Sequence, residues 1–266
     1  MIKEIRLNLH WCNIPGRIYF PIYDPKKLST FPGIVLCHGN NSLGQDYELI
    51  SSLAKDLSIN GYYVITFDNL CYNNSWYPET NALINPEDLD LRWGVFSAVT
   101  FLYSLPEIDK QKIYTMGHSM GGALALSVGA VDLRVQGIVA VSPTKVSRHI
   151  STKEQLEQYR MEELMLNTTR VYISHNIVLP LRHVTNAENY IKELSGKPIL
   201  MTCAAKEQVE FNYQEWVKKL SHKIGDNCEF YIVEDSGHYY GTNPDSPVHH
   251  YYQQLLEKIL LWFNNH

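Results

Sequence analysis

The sequence lacks the features that would assign it to several classes of protein. No segment reaches the roughly 18 uninterrupted apolar residues of a membrane-spanning helix, and the amino terminus lacks the continuous apolar stretch of a secretory signal. Basic residues are not in excess, since 23 Lys and Arg stand against 28 Asp and Glu. The net charge of -5 gives no general attraction to nucleic acid or anionic lipid. We therefore expect a cytoplasmic protein with neither a nucleic-acid partner nor a membrane span.

Cysteine is scarce and scattered. The five cysteines form no C-x-x-C pair and are odd in number, which argues against a disulfide framework or a zinc site. They are Cys12, Cys37, Cys71, Cys203 and Cys228. Internal repeats and low-complexity tracts are also missing. The chain has 266 residues, 45% of them hydrophobic, and this is enough for one large domain with a buried core. We expect a single catalytic domain over residues 1–266.

The apolar residues predict a mainly parallel sheet with antiparallel strands at its amino-terminal end. Two opening stretches alternate with a period of two, which is typical of half-exposed strands. Their apolar members are Ile5, Leu7 and Leu9, then Ile18, Phe20 and Ile22. Later strands are short continuous apolar runs, as expected where helices cover both faces of a sheet. These runs are residues 33–37, 62–67, 112–116, 137–141, 198–203 and 229–233.

Helical patterns separate the apolar runs. A helix with Leu53 and Leu57 on its apolar face should end at Asn60-Gly61, a left-handed stop signal. Another should begin near Asn85 with a capping residue and run to about Leu105, and a last one should cover residues 247–263. The alternation is interrupted at about residues 144–196, which is too long for a plain loop. We interpret this insertion as a small lid.

The strongest local signal is GHSMGG at residues 117–122, which directly follows the predicted strand KIYTM and precedes the helical run ALALSVGA. A serine between a strand and a helix, with glycines on either side, is typical of a nucleophile elbow. The glycines allow the strand and the helix to approach each other closely. This context predicts Ser119 as a nucleophile, whereas a glycine-rich turn with an incidental serine is the alternative.

A serine hydroxyl needs an imidazole to take its proton. His238 lies in a loop after the last predicted strand, at the carboxyl end of a parallel strand and so at the same sheet edge as the elbow. His118 lies inside the elbow and cannot turn back onto Ser119. A third group should orient the imidazole, and Glu207, after the strand PILMTC, is the leading candidate. Glu210 and Asp235 remain alternatives.

Backbone N–H groups should bind the negative charge that develops on a carbonyl oxygen. One donor is the N–H of Met120, the residue after the nucleophile. The second should come from the loop that follows the strand GIVLC, where Asn40 is favoured over Asn41. Asn41, Tyr72 and Trp76 are tentative substrate-binding residues, because they follow strands at the same edge and aromatic rings bind acyl or aryl groups. Plain coverage of the sheet edge is an equally good interpretation of the aromatic pair.

Taken in order, LCHGNN, VITFD, MGHSMGG, VSP, ILMTCAAKEQV and DSGHYY resemble the α/β-hydrolase superfamily, in its esterase, dienelactone-hydrolase and cutinase-like branch. The resemblance extends from about residue 15 to the end of the chain. It implies an α/β-hydrolase fold, no metal and no organic cofactor. It also implies Ser119, His238 and Glu207 as the catalytic triad, with Asn40 and Met120 as oxyanion donors. The loop that carries Glu207, which we call the acid loop, departs from the family pattern. Alanine and glutamate stand there where glycine and aspartate are usual.

These observations favour a serine hydrolase that cleaves small or medium carboxylic esters. The same residues would serve a thioesterase, an amidase or peptidase, or an acyltransferase, because a fold and a triad do not by themselves distinguish these reactions. An alternative from another class is a small-molecule binding protein that has kept the fold and lost turnover. The unusual acid loop is the one feature that favours it.

Overall fold

The computed structural model describes most of the chain. The described residues are 1–9, 12–22, 30–41, 43–70, 72–75, 90–144, 186–207, 213–243 and 247–266. The predicted lid lies largely outside them, and so do Trp76, Glu210 and the predicted helix start at Asn85. In the described part, no helix is both long and apolar enough to cross a membrane.

Eight strands form one sheet. They are β1 (Ile2–Asn8), β2 (Asn13–Tyr19), β3 (Phe31–Cys37), β4 (Tyr63–Phe67), β5 (Ile108–His118), β6 (Gly137–Val141), β7 (Ile199–Ala204) and β8 (Cys228–Val233). Their spatial order is β1-β2-β4-β3-β5-β6-β7-β8. β1 and β2 pair antiparallel, as do β2 and β4, and all later pairs are parallel. This confirms the predicted mainly parallel sheet with antiparallel strands at its amino-terminal end.

Six helices of the described residues flank the sheet. They are α1 (Glu48–Ile59), α2 (Arg92–Ser104), α3 (Met120–Val131), α4 (Ile191–Leu194), α5 (Tyr213–Ile224) and α6 (His250–Asn265). Short 3-10 turns cover Gly44–Asp46 and Ala187–Tyr190. The end of α1 follows the prediction, with Gly61 at φ +97°. Helix α6 begins three residues later than predicted because residues 247–249 form a turn.

Two hydrophobic cores lie on opposite faces of the sheet. On one face, α2, α3 and α5 bury Val99, Leu124 and Val217 against the strands. On the other face, α1 and α6 contribute Leu53 and Ile259, among others. Every residue of β4 and β6 is buried, as continuous apolar strands between two helix layers require. The parallel strands therefore bring their carboxyl ends, and the loops that follow them, to one edge of the sheet.

Candidate active site

Ser119 occupies a strained turn between β5 and α3. Its backbone has φ +56° and ψ -119°, a conformation that L-residues other than glycine rarely adopt. Backbone hydrogen bonds hold it on both sides: its N–H donates to Val141 O at 2.9 Å, and its carbonyl accepts from the N–H of Thr144 at 2.9 Å. The turn therefore orients the serine rigidly at the carboxyl edge of the sheet.

Glycines allow the helix to approach the strands at this turn. A Cβ on Gly117 would lie 2.1 Å from Gly121 O, and a Cβ on Gly121 would lie 2.2 Å from Cys37 O. Both clashes are with backbone, which has no rotamer to change. A Cβ on Gly39 would come within 3.1 Å of Ser119 Cβ. The loop after β3 is thus packed directly against the serine.

Glu207 and His238 contact each other at the same edge. His238 Nδ1 lies 2.6 Å from Glu207 Oε2, and the Glu207 side chain is only 2% exposed. Glu207 Oε1 accepts from the amide of Ala204 at 3.3 Å. The imidazole is more open, with 28% of the side chain exposed. This arrangement leaves Nε2 as the ring nitrogen that can receive a proton from a substrate-side group.

Two residues that the sequence analysis did not select extend this contact. The Ser142 hydroxyl donates a short hydrogen bond to Glu207 Oε1 and lies 2.6 Å from the Tyr240 hydroxyl. Ser142 has a left-handed backbone with φ +43°. Burial, and secondarily the charge of Glu207, raises the pKa of Tyr240 far above its ordinary value. Tyr240 therefore stays a neutral hydroxyl, and we infer a chain of hydrogen bonds from Tyr240 through Ser142 and Glu207 to His238.

Asp235 makes a different contact from Glu207. Its carboxylate lies 2.9 Å from Lys206 Nζ, and both side chains are largely exposed. Lys206 is also the cause of the lowered pKa of Asp235. Among the described residues, Glu207 is thus the acid in contact with the His238 ring, while the other alternative, Glu210, lies outside them.

No hydrogen bond joins Ser119 and His238 in the part of the chain that the structure describes. The Ser119 hydroxyl instead lies 3.2 Å from the Thr144 hydroxyl. The His238 ring lies 4.5 Å from the ring of His118, the residue before the serine. The sequence excludes His118 as the base because it cannot turn back onto Ser119; in the structure its Nε2 lies 2.9 Å from the main-chain carbonyl of His238.

The loop after β3 is held by a buried histidine. Asn69 N–H donates to His38 Nε2 at 2.9 Å, so the ring proton is on Nδ1, which donates to Gly39 O at 2.7 Å. A trans peptide directs its carbonyl and its N–H in opposite directions. The bond to Gly39 O therefore also fixes the direction of the Asn40 N–H. Burial lowers the pKa of His38 to about 4, so the ring is neutral near neutral pH.

Two of the tentative pocket residues, Asn41 and Tyr72, lie at this loop, while Trp76 lies outside the described residues. The Tyr72 hydroxyl lies 2.9 Å from Asn40 Oδ1 and 3.4 Å from Met120 Sδ, and thereby links the two predicted oxyanion donors. Tyr72 is 2% exposed, so most of its ring packs inside the protein. The Asn41 N–H donates to Gly39 O at 3.0 Å, so this N–H already has a partner within the loop.

Among the described residues, no group of three or more His, Cys, Asp or Glu can hold a metal ion.

The buried His38 predicts a loss of stability in mild acid. Unfolded histidine takes up a proton below about pH 6.5, whereas folded His38 does so only near a pKa of about 4. The unfolded state thus binds more protons in this window, and stability falls as the pH decreases. We expect the free energy of unfolding to fall by about 2 kcal/mol more in the wild type than in His38→Gln between about pH 7 and pH 5. Urea denaturation at both pH values measures this difference.

His222→Gln is the control for this comparison, because His222 is exposed on α5. It should keep the pH dependence of the wild type. An equal pH dependence in wild type and His38→Gln would contradict the interpretation.

A family model described as the alpha/beta hydrolase fold matches residues 32–266. Solved structures share the fold at low sequence identity. The α/β-hydrolase GrgF from Penicillium superimposes with a TM-score of 0.73 at 15% identity, covering 100% of this chain and 99% of that one. Est1E from Butyrivibrio proteoclasticus, in its complex with ferulic acid, gives a TM-score of 0.70 at 14% identity over 98% and 99% of the two chains. An esterase from Pyrococcus furiosus gives 0.67 at 16% identity over 100% and 91%.

A curated relative matches part of the sequence. Thiohydrolase aneE from Aspergillus aculeatus is 31% identical over 112 residues, which is 42% of this chain and 34% of the relative. The match thus spans about a third of the length of that protein. The family model covers far more of the chain than this local match does. On the strength of that coverage, the chain belongs to the α/β-hydrolase fold family.

Proposed function

We propose that the protein is a serine hydrolase that cleaves carboxylic esters of small or medium size through an acyl-enzyme on Ser119. His238 is the general base and Glu207 is the acid that orients it. The observation that carries the proposal is the 2.6 Å contact between His238 Nδ1 and Glu207 Oε2 at the sheet edge where the strained Ser119 turn lies. A carboxylate on Nδ1 holds the imidazole in the tautomer that accepts a proton at Nε2.

The oxyanion site is formed by the N–H groups of Asn40 and Met120. The Met120 N–H is at the first position of α3, where amide groups have no partner within the helix and the helix dipole favours negative charge. The Asn40 N–H is held by the His38 bond to Gly39 O. Preset donors of this kind need no reorganisation when charge develops on the carbonyl oxygen. They account for the main stabilisation of the tetrahedral intermediate.

The reaction proceeds in two halves. Ser119 Oγ attacks the ester carbonyl while its proton moves to His238 Nε2, and the same proton then passes to the departing alcohol. Water attacks the acyl-enzyme in the second half. His238 takes the proton from that water and returns it to Ser119 Oγ as the carboxylic acid leaves. Glu207, in contact with His238 Nδ1, stabilises the imidazolium in both halves.

In the free protein the serine hydroxyl rests beside Thr144, at 3.2 Å. A rotation about the Cα–Cβ bond is sufficient to move Oγ from one staggered position to another. Catalytic hydrogen bonds are commonly long in free enzymes and tighten in the complex with substrate. We therefore infer that substrate binding brings Ser119 Oγ from Thr144 to His238 Nε2.

Ser119→Ala is the direct test of the nucleophile. A fluorophosphonate probe should label the native protein at one site, because the activated hydroxyl displaces fluoride, and the variant should show no labelling. Intact-mass spectrometry measures the stoichiometry. Ser127→Ala is the matched control, since Ser127 is a buried serine of helix α3, which follows the turn, and its hydroxyl donates to Leu124 O.

Absence of labelling in well-folded wild type would contradict the proposal and favour the small-molecule binding protein. Labelling that persists in Ser119→Ala would show a different nucleophile.

Glu207→Gln tests the acid. The amide places an N–H opposite His238 Nδ1 and favours the wrong ring tautomer, so turnover should fall by about two to four orders of magnitude. The initial rate of nitrophenyl ester hydrolysis measures the loss, with circular dichroism to check folding. Asp235→Asn is the matched control, because its exposed partner is Lys206, and it should keep wild-type turnover. Normal activity in Glu207→Gln would transfer the role to another acid.

A thioester is the second candidate substrate class. The observation that favours it is the local similarity to thiohydrolase aneE over 112 residues. Esters and thioesters pass through similar tetrahedral intermediates, so the same side chains serve both. The leaving group is the difference, since a thiolate leaves without protonation more easily than an alkoxide does.

Matched substrates distinguish the two classes. We expect kcat/KM, divided by the uncatalysed rate, to be higher for an oxygen ester than for the thioester of the same acyl group. The measurement uses N-acetylcysteamine thioesters and their oxygen analogues over a series of acyl lengths. A preference for the thioester at every length would replace the ester proposal by the thioesterase.

A further inference from the structure

His118 connects the nucleophile elbow to the loop that carries His238. The ring is 2% exposed, and its Nε2 lies 2.9 Å from the main-chain carbonyl of His238. A carbonyl oxygen only accepts hydrogen bonds, so Nε2 must carry the proton. The contact joins residues 120 positions apart in the sequence. It is a direct polar link between the residue that precedes Ser119 and the main chain of the proposed base.

The environment keeps His118 in this form. Burial is the main reason that its pKa lies well below the ordinary value, and the neighbouring His238 lowers it further. The other ring nitrogen, Nδ1, is buried and without a hydrogen-bond partner among the described residues. His118 is therefore neutral near neutral pH, and its Nε2–H donates to the carbonyl of His238.

Aromatic rings pack around His118. Tyr47 stacks on it with 6.4 Å between ring centroids, and Tyr240 lies edge-on at 6.3 Å. His238 contacts it at 4.5 Å and Tyr239 at 6.5 Å. These rings are titratable groups that pack around the imidazole. Two of them, Tyr239 and Tyr240, belong to the loop that carries His238, which we call the base loop. The imidazole that donates to the His238 carbonyl is therefore surrounded by aromatic rings.

We propose that His118 is a positioning residue that ties the main chain of His238 to the elbow. This inference rests on the proposed serine hydrolase function. Glu207 holds only the ring of His238, through Nδ1, and a ring held at one nitrogen can still move with its loop. The hydrogen bond from His118 Nε2 to the carbonyl of His238 holds the main chain of that residue. Together the two anchors set the distance between His238 Nε2 and Ser119 Oγ, and an error of about 1 Å in such a distance can cost about 100-fold in rate.

The test compares two replacements of similar volume. His118→Gln places an amide N–H close to the position of Nε2 and keeps the donor, whereas His118→Leu fills the space and removes it. We expect kcat for a nitrophenyl ester to fall by about 10- to 100-fold in His118→Leu, with little change in KM. In His118→Gln most of the turnover should be retained.

Stability should not follow the same order as turnover. His118→Leu leaves the His238 carbonyl without its donor, while glutamine buries an amide oxygen without a partner, and each loss costs stability. His118→Leu should therefore resist urea about as well as His118→Gln while being the slower enzyme. Equal loss of kcat in both variants, or wild-type kcat in His118→Leu, would overturn the proposal.

Hydrogen exchange separates this inference from the proposed function. In His118→Leu, backbone amides of residues 236–243 should exchange faster than in the wild type, whereas those of β8 should be unchanged. If the amides of residues 236–243 exchanged in His118→Leu as they do in the wild type, the positioning role of His118 would be refuted even if catalysis were impaired. Failure of the wild type to react with the fluorophosphonate would refute the hydrolase proposal, whatever the exchange shows.

Discussion

The proposed site depends on the close approach of helix α3 to strands β3 and β5. The contact is backbone against backbone, since a Cβ at Gly121 would lie 2.2 Å from Cys37 O and 2.6 Å from His38 O. It brings the first N–H of α3 beside the loop after β3 and forces Ser119 to φ +56°. A backbone of this kind costs of the order of 1–3 kcal/mol and persists only where the surroundings determine it. Here the buried packing of α3 against the sheet does so.

The second constraint is the burial of a carboxylate. Glu207 is nearly inaccessible, so its charge must be balanced by hydrogen bonds and by the imidazole. Ser142 and the Ala204 amide bind one oxygen, and His238 binds the other. The left-handed backbone of Ser142 directs its hydroxyl towards the acid and Tyr240. Glutamate in place of the usual aspartate is thus accommodated by a hydroxyl network from two other loops.

Two buried histidines flank Ser119 and act through the same chemistry. His38 and His118 both have a lowered pKa because of burial, and each offers one N–H to a main-chain carbonyl. His38 donates to Gly39 in the loop of the proposed oxyanion donor Asn40, whereas His118 donates to the main chain of the proposed base His238. A rigid ring with one proton is well suited to this, since its donor direction does not vary. A neutral imidazole is therefore bonded to the main chain of each of these two loops.

Local patterns in the sequence determined the order of strands and helices, the elbow at Ser119 and the selection of Glu207 and His238 as candidates. Continuous apolar runs, glycine spacing and position after a strand are signals that short windows carry. The tertiary structure alone revealed Ser142, Tyr240 and His118, because their contacts join residues 65, 98 and 120 positions apart. A serine in VSP, or a histidine within the elbow, has no local signal for such a partner. Which side chains meet at the sheet edge was decided by parallel strand pairing, which brings distant loops together.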